Sequence, residues 1–273
     1  MTADPATSME AFVSFDELLT DEDIALRQTI RRFVNKEFLP VIKEHHRQGT
    51  FPAHLVPRLG ELGVLGAALT DYDLPGLGAV PYGLAMQELE RGDSGLRSFA
   101  SVQNSLVIHP IHRFGSQEQK DHWLPLLAGG EAIGCFGLTE PDFGSNPRAM
   151  RTRARKVEGG YMLDGSKAWI TNGLLADVAV VWARDDEDRI RGFLVERGTP
   201  GLEAQAQEGK FSLRASDTST LYFQDCFVDM DHLMPHTSTL GQPFDCLKEA
   251  RFGIAWGAIG AALAVAEHAL QYA

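Results

Sequence analysis

The 273-residue sequence predicts an α+β fold with an N-terminal all-α domain, a middle antiparallel β domain and the start of a C-terminal helical bundle. Three observations support this prediction. Apolar residues recur at helical spacing over residues 16–132, short strand-like runs separated by turn residues fill residues 133–236, and an Ala-rich apolar stretch occupies residues 237–273. Residues 1–15 have neither pattern and are expected to form a flexible tail.

The first predicted helix runs from Asp21 to His46. Thr20 and Asp23 form a capping pair in front of it, because the side chain of each can accept a hydrogen bond from the backbone amide of the other. Pro52 suits the first turn of a helix, so a second helix is expected to open there and to end at a glycine eleven residues later.

Three more helices complete the predicted N-terminal domain. After a loop over residues 70–80, one helix begins at Pro81 and the next spans residues 95–114. Ser116 and Gln119 are predicted to form a capping box for the last of them, which ends at a Gly-Gly pair.

Seven short strands are predicted in the middle region, bounded by Gly, Pro, Asp or Ser residues. They cover residues 133–139, 150–154, 161–163, 178–182, 193–195, 221–223 and 226–228. After a Thr-Ser-Thr loop, an Ala-rich helix is expected from Phe244 to the last residue.

The composition is that of an acidic globular protein. Hydrophobic residues make up 44% of the chain, charged residues 23%, and the net charge is -12 at pH 7. That charge disfavours nucleic acid and anionic membranes as partners, since both select clustered Lys and Arg. The three cysteines are odd in number and widely spaced, which indicates a reducing compartment. With no apolar run of membrane-span length and no leader features, a cytoplasmic protein is expected.

Two segments predict a cofactor site. FGLTEPDFGS, at residues 136–145, joins a strand end to Pro141 and Gly144, which enforce turns and expose backbone amides that suit an anionic group. WITN, at residues 169–172, places a large planar side chain beside a hydroxyl and an amide, which suits a planar heterocycle. No H-E-x-x-H motif is present, and no metal site is predicted.

Together, in this order, the two segments resemble the flavin-binding segments of the acyl-CoA dehydrogenases. ELERGDSGLRSFASVQNSLVIHPI, GKFSLRAS and ARFGIAWGAIGA resemble the glutaryl-CoA dehydrogenase branch of that family. The resemblance implies an acyl-CoA dehydrogenase-like fold, FAD as the cofactor, and α,β-dehydrogenation of an acyl-CoA, here glutaryl-CoA, with loss of CO2. It further implies an electron-transferring flavoprotein as electron acceptor, and a homo-oligomer or a partner chain that supplies further helices.

The resemblance also implies which residues contact FAD. Backbone groups and the Thr139 hydroxyl would address the edge of the isoalloxazine ring, Trp169 and Thr171 would frame the ring and the ribityl chain, and Ser145 would lie near the pyrophosphates of FAD and CoA. The alternative for Ser145 is a side chain that satisfies its own turn. The full implied set is Phe136, Leu138, Thr139, Gly144, Ser145, Trp169, Ile170 and Thr171.

The implied substrate site centres on Arg97. In glutaryl-CoA dehydrogenases the matching arginine pairs with the distal carboxylate of the substrate, and a guanidinium fork suits this role because it binds a carboxylate through two parallel hydrogen bonds. The residues alone, without the resemblance, are equally compatible with Arg97 as an exposed helix residue that binds no substrate. The full implied set is Arg97, Ser98, Glu90, Ser101, Ser145, Phe244 and Arg251. Phe244 and Arg251 belong to the CoA-contacting stretch, in which neighbouring residues depart from the family's pattern.

The family's reaction requires a glutamate base, which in the glutaryl branch lies in a Y-E-G-T-like segment of the C-terminal domain. This sequence contains no such segment, so no catalytic residue is predicted. Other members place the base at the position matching Ala250. Glu249 precedes that position and is a surrogate candidate only, because one residue rotates a helical side chain by about 100°.

The sequence therefore predicts a family member that lacks most of its last helical domain, is inactive as this chain and associates in solution. The alternative is a non-catalytic fragment that binds acyl-CoA and FAD, or one subunit of a split enzyme.

Overall fold

The structure, a computed structural model, describes residues 15–273. The predicted tail lies outside the described residues apart from Phe15. Helices precede the sheet, as predicted. They are α1 (Asp21–Phe33), α2 (Leu39–Gln48), α3 (Val56–Glu61), α4 (Ala79–Gly92), α5 (Ser94–Ser101), α6 (His109–Phe114) and α7 (Gln117–Gly129).

Two of the predicted helices are confirmed as long continuous helices with an inserted π-helical stretch. Val34–Phe38 joins α1 to α2, and Val102–Ile108 joins α5 to α6. Thr20 and Asp23 form the predicted capping box in front of α1. The chain leaves α2 at Gly49, whose φ of 72° lies in the left-handed region that favours glycine.

The predicted capping box of Ser116 and Gln119 is also confirmed, at the start of α7.

The loop between α3 and α4 is held by Asn104, which accepts a hydrogen bond from the Gly66 amide at 2.6 Å and donates one to the Val64 carbonyl at 2.9 Å. This loop is therefore fixed to the π-helical stretch between α5 and α6.

The helical core is formed by large apolar side chains of α1 to α5 and their connections. Phe51 and Phe99 stack within it, with ring centroids 4.7 Å apart. Burying each such side chain contributes about 1.5–3 kcal/mol. The most completely buried members are Ile30, Val34, Phe38, Leu59, Met86, Leu89 and Leu96.

A seven-stranded sheet follows the helices, in the order β1-β4-β2-β3-β7-β6 with β5 paired to β4 off this path. Its strands are β1 (Gly134–Gly137), β2 (Arg153–Val157), β3 (Gly160–Thr171), β4 (Val178–Asp185), β5 (Ile190–Glu196), β6 (Leu202–Ala206) and β7 (Thr218–Asp229). β4 pairs in parallel with β1 and with β2, and the other pairings are antiparallel. The sheet is thus mainly antiparallel, as predicted, but mixed.

Several predicted strand boundaries were wrong. Residues 150–152 precede β2 because the chain first makes a helical turn at Pro147–Ala149. β3 continues to Thr171 rather than ending at Leu163, and the two last predicted runs are parts of the single strand β7. β6 was not predicted because its sequence, LEAQA, has no β-branched residue and lies at the exposed edge.

Gln103 connects the helical region to the sheet. Its amide nitrogen donates hydrogen bonds to the carbonyls of Leu127 and Ala132, and its amide oxygen accepts one from the Gly134 amide at 3.0 Å. The side chain is fully buried. Because all of these hydrogen bonds are shielded from water, they fix where β1 leaves the helices.

The last helix, α8 (Gly241–Tyr272), begins three residues before the predicted start. Its face toward α4 carries Gly253, Gly257 and Gly260, all buried. A Cβ atom on Gly260 would lie 2.0 Å from the Gln87 carbonyl oxygen, so only glycine permits this approach. Arg91 of α4 and Glu267 of α8 add an ion pair of 2.8 Å.

The opposite face of α8 is apolar and uncovered. By length and composition the helix could cross a membrane, with a mean hydropathy of 1.4 in its most apolar window, of which 17% is buried. The expectation that no apolar run has the length of a membrane span was therefore wrong, although core helices of soluble proteins often meet the same criteria. The exposed residues are Phe252, Ile254, Ile259, Val265, Leu270 and Tyr272.

Candidate functional site

The loop that follows β1 presents a row of free backbone amides. Within residues 15–273, the amides of Gly144, Ser145 and Asn146 donate no hydrogen bond, and all three residues are exposed. The Ser145 hydroxyl makes no hydrogen bond to its own turn either. The alternative interpretation, in which this side chain only satisfies the turn, therefore gains no support. Adjacent free amides form a surface that suits the oxygen atoms of an anionic group.

Trp169 projects from β3 at a β-bulge. The β3–β7 register shifts between Lys167 and Ile170, which leaves Trp169 outside the ladder with a φ of 60°. Its side chain is a large exposed aromatic group, with 63% of the residue's surface accessible. The Ala168 amide donates a hydrogen bond of 2.9 Å to the Thr139 carbonyl, so the two predicted cofactor segments lie side by side. The bulge thus places an aromatic ring next to the loop of free amides.

The other predicted FAD contacts differ in accessibility. The side chains of Phe136, Leu138 and Ile170 are buried in the apolar cores of the protein, at 8%, 4% and 2% exposure. Only their backbone groups can therefore reach a cofactor. Thr139 and Thr171 are half-buried, which leaves them accessible at the ends of the two segments.

A buried ion pair supports the loop from inside. The Lys167 amine donates hydrogen bonds to the Glu140 carboxylate at 2.9 Å and to the Leu138 carbonyl at 3.2 Å. Glu140 also accepts from the backbone amides of Arg151 and Thr152 at 2.6 and 2.9 Å. These donors hold Glu140 in place directly before the turn at residues 141–146.

The two partners respond differently to burial. Burial lowers the pKa of Lys167 to about 8, although the charge of Glu140 opposes this effect. Burial by itself would raise the pKa of Glu140, but the Lys167 charge and the hydrogen bonds from the Arg151 amide and the Thr152 hydroxyl lower the pKa below its usual value of 4.5. The Glu140 carboxylate accepts hydrogen bonds from several donors, whereas the Lys167 amine has one ionic partner. This asymmetry explains why the charged form of Glu140 is favoured despite burial and that of Lys167 is not.

Arg97 lies on α5 with only 11% of its side chain exposed, so its interpretation as an exposed helix residue is wrong. Its Nε donates a hydrogen bond to Glu90, which also accepts one from the Ser94 hydroxyl. A Cβ atom on Gly257 of α8 would lie 3.1 Å from Arg97 Nε, so the missing side chain leaves room for this pair. The two terminal guanidinium nitrogens make no hydrogen bond within residues 15–273, and the outer edge of the fork is available to a carboxylate.

The predicted serines lie at different positions around the helix from Arg97. Ser101 is 3% exposed and follows Arg97 by four residues, which places it on the same face of the helix. Ser98 is half-buried and adjacent in sequence, so it is displaced from Arg97 by about 100° around the axis. The geometry therefore favours Ser101 over Ser98 as a neighbour of the guanidinium.

A cleft of about 480 Å³ lies between the start of α4, the π-helical stretch Val102–Ile108 and α8. Its polar lining residues include Tyr82, Asn104, Ser105 and Glu249. Glu249 is the surrogate base candidate of the sequence analysis, is exposed on α8, and is the one carboxylate among the described lining residues.

Phe244 and Arg251, the predicted CoA contacts, are both exposed on α8 and lie outside the lining of the cleft. Asp245, which departs from the family's pattern, is held by His109 at 3.0 Å. The structure thus leaves both predicted CoA contacts accessible without bringing them together with Arg97.

Sequence reasoning did not single out Tyr82, which lines the cleft, or Lys167, which supports the loop through Glu140. Tyr82 lies in the apolar run AVPYGLAMQ, where a tyrosine is indistinguishable from a core residue. Lys167 carried a usable signal, because a lysine between the buried positions of a central strand requires an acidic partner. Glu140 in the preceding segment was the candidate for that partner.

Two family descriptions match the chain. The N-terminal domain of acyl-CoA dehydrogenases matches residues 20–131, and the middle domain of acyl-CoA dehydrogenases matches residues 135–226. The first match contains α1 to α7, and the second contains β2 to β6 with most of β1 and of β7.

Relatives of known name agree with these matches. The mitochondrial short-chain specific acyl-CoA dehydrogenase of Rattus norvegicus is 38% identical over 261 residues, which are 91% of this chain and 62% of that protein. An acyl-CoA dehydrogenase of Bacillus subtilis is 36% identical over 267 residues, 93% of this chain and 69% of that protein.

Among solved structures, a glutaryl-CoA dehydrogenase of Mycobacterium smegmatis in complex with FADH2 superposes with a TM-score of 0.90 at 51% identity. The match covers 93% of this chain and 65% of that one. The chain therefore spans about two thirds of the length of the proteins it resembles.

Proposed function

The chain belongs to the acyl-CoA dehydrogenase family, and from this premise we propose that it binds FAD and serves the α,β-dehydrogenation of a dicarboxylyl-CoA of the glutaryl type. The observation that carries the choice of substrate is the Arg97 guanidinium, which is fixed by Glu90 and has an unoccupied outer edge. The 51% identity to the glutaryl-CoA dehydrogenase of M. smegmatis supports this choice.

The residues present fit FAD. The free amides of Gly144, Ser145 and Asn146 suit its anionic part, and the exposed indole of Trp169 suits its planar part. FAD, when bound, supplies the ring that accepts a hydride from the β-carbon of the thioester. The contribution of this chain is to bind and orient both molecules, with Lys167 and Glu140 holding the loop from behind.

The substrate preference follows from the cost of an unpaired buried donor. A carboxylate at the end of the acyl group would accept two hydrogen bonds from the terminal nitrogens of Arg97, whereas a methyl group would exclude water from those nitrogens and give them no partner. A short monocarboxylyl group should therefore bind more weakly. In the proposed reaction a carboxylate base accepts the α-proton, and FAD would accept the β-hydride and pass the two electrons to an electron-transferring flavoprotein. The oxidised acyl group then loses CO2, and its γ-carbon takes up a proton in exchange.

The second candidate is a dehydrogenase of short monocarboxylyl-CoA thioesters. It is favoured by the similarity to the short-chain specific acyl-CoA dehydrogenase of rat, at 38% identity. In this case Arg97 and Glu90 would be a structural pair that positions α5 against α4.

Isothermal titration calorimetry distinguishes the dicarboxylyl-CoA dehydrogenase from the monocarboxylyl-CoA dehydrogenase. The chain is first loaded with FAD, and then titrated with glutaryl-CoA and with butyryl-CoA under identical conditions. We expect glutaryl-CoA to bind about tenfold more tightly or better, since a hydrogen bond to a charged group contributes about 1.5–3 kcal/mol. Equal affinity, or a preference for butyryl-CoA, would favour the second candidate. A chain that does not take up FAD would contradict the cofactor assignment.

A further inference from the structure

Tyr82, on α4, has a buried hydroxyl without a hydrogen-bond partner. The residue is 9% exposed, and its oxygen is among the buried polar atoms of residues 15–273 that are left unsatisfied. Ser105 and Asn104 lie nearby but do not complete a hydrogen bond of normal geometry, and the Asn104 amide is engaged with Val64 and Gly66. An unpaired buried hydroxyl is destabilising, so its presence calls for a ligand or another explanation.

The Tyr82 hydroxyl lies close enough to Arg97 to be affected by its charge. Tyr82 lines the cleft between α4 and α8, and a Cβ atom on Gly253 would lie 3.5 Å from its oxygen. A Cβ atom on Gly257, one helical turn further along α8, would lie 3.1 Å from Arg97 Nε. Positions four residues apart on a helix are separated by about 6 Å, so Tyr82 and Arg97 flank the same side-chain-free strip of α8.

The protonation state suits hydrogen-bond donation. Burial raises the pKa of Tyr82, and the neighbouring Ser105 and Asn104 side chains, followed by the positive charge of Arg97, oppose that effect only in part. The phenol is therefore protonated at neutral pH and carries a hydrogen that no described residue accepts.

We propose that the Tyr82 hydroxyl donates a hydrogen bond to the distal carboxylate that Arg97 binds, and that Tyr82 is a specificity-determining residue for dicarboxylyl thioesters. This inference rests on the proposed function. The two donors have separate roles, since Arg97 neutralises the carboxylate and Tyr82 satisfies an oxygen lone pair that the fork does not reach. Gly253 and Gly257 let α8 approach both side chains closely, and the carboxylate would enter from the cleft that Tyr82 lines.

The test is the conservative variant Tyr82→Phe, with Tyr222→Phe as the matched control on β7, where the tyrosine is 43% exposed. The FAD-loaded full chain is titrated calorimetrically with glutaryl-CoA and butyryl-CoA. We expect Tyr82→Phe to weaken glutaryl-CoA binding about tenfold and butyryl-CoA binding less than about twofold. The control variant Tyr222→Phe should change neither the affinity for glutaryl-CoA nor the affinity for butyryl-CoA. Equal weakening of both ligands, or of neither, would overturn the inference.

The same titrations separate this inference from the proposed function. If the wild-type chain prefers glutaryl-CoA and Tyr82→Phe retains the full preference, the role of Tyr82 is wrong and the proposed function stands. If the wild-type chain has no preference, both are wrong. Thermal unfolding without ligand shows whether Tyr82→Phe is correctly folded. Removing an unpaired hydroxyl should leave the melting temperature unchanged or raise it.

Discussion

The Lys167 amine and the Glu140 carboxylate form an ion pair of 2.9 Å behind the loop that carries the free amides. Lys167 is fully buried and Glu140 is 6% exposed at the side chain. A second hydrogen bond from Lys167, to the Leu138 carbonyl, connects the pair to the end of β1. The pair therefore fixes the backbone on which the proposed cofactor contacts lie.

Replacing the lysine should be costly. Lys167→Met removes the ionic partner of a buried carboxylate, and we expect the free energy of unfolding to fall by about 3–5 kcal/mol. Urea denaturation measures the change. Lys43→Met, at an exposed position of α2, is the matched control and should have little effect. A loss no larger than that of the control would refute the structural role of the pair.

The same pair predicts a pH dependence on the acid side. The folded-state pKa of Glu140 is lowered from 4.5, so its stabilising contribution is fully present above 4.5 and is lost as the pH falls through the lower folded-state value. Glu140→Gln cannot ionise and has no such contribution. The difference in melting temperature between wild type and Glu140→Gln should therefore shrink as the pH is lowered below 4.5. A difference that stays constant over this range would be inconsistent with the pair.

The sequence predicted those features that depend on neighbouring residues. Both capping boxes involve residues three apart, so Thr20–Asp23 and Ser116–Gln119 could be identified directly. The bulge at Trp169 depends on the register between β3 and β7, and the partner of Lys167 lies 27 residues away. Such relationships are set by tertiary packing, which is why the positions of the site segments were predicted but their arrangement was not.

Arg97 offers a direct test of the proposed substrate class. Arg97→Lys retains the charge beside Glu90 but lacks the planar fork, so we expect glutaryl-CoA to bind about tenfold more weakly and butyryl-CoA to be nearly unaffected. Arg113→Lys, at an exposed position of α6, is the control. Calorimetric titration gives both affinities, and an unchanged ratio between the two ligands would show that Arg97 does not recognise a carboxylate.

Trp169 tests the cofactor site. The residue is 63% exposed, so Trp169→Ala should lower FAD affinity about tenfold or more through lost stacking, with little change in the melting temperature. Thr171→Ala should weaken binding as well, through loss of a hydroxyl. Trp169→Phe retains an aromatic face and should recover part of the affinity. Flavin fluorescence titration measures all four proteins, and the assignment fails if wild type and both alanine variants bind alike.

The uncovered face of α8 predicts association of the 273-residue chain. Ile254, Ile259 and Val265 are 50%, 54% and 70% exposed, and together with their neighbours they form an apolar surface along one helix. A contiguous surface of this kind larger than a few hundred Å² drives association in water. Light scattering of the purified chain should therefore show species larger than the 29.9 kDa monomer.

The double variant Ile259→Lys and Val265→Lys should shift the distribution toward monomer. Two added positive charges reduce the magnitude of the net charge of -12, so a shift toward monomer cannot arise from stronger overall repulsion. Leu39→Lys, at an isolated exposed leucine of α2 with 41% exposure, should leave the distribution unchanged. If the wild-type chain is monodisperse at monomer mass, or if the double variant associates as strongly as the wild type, this face of α8 is not the contact surface.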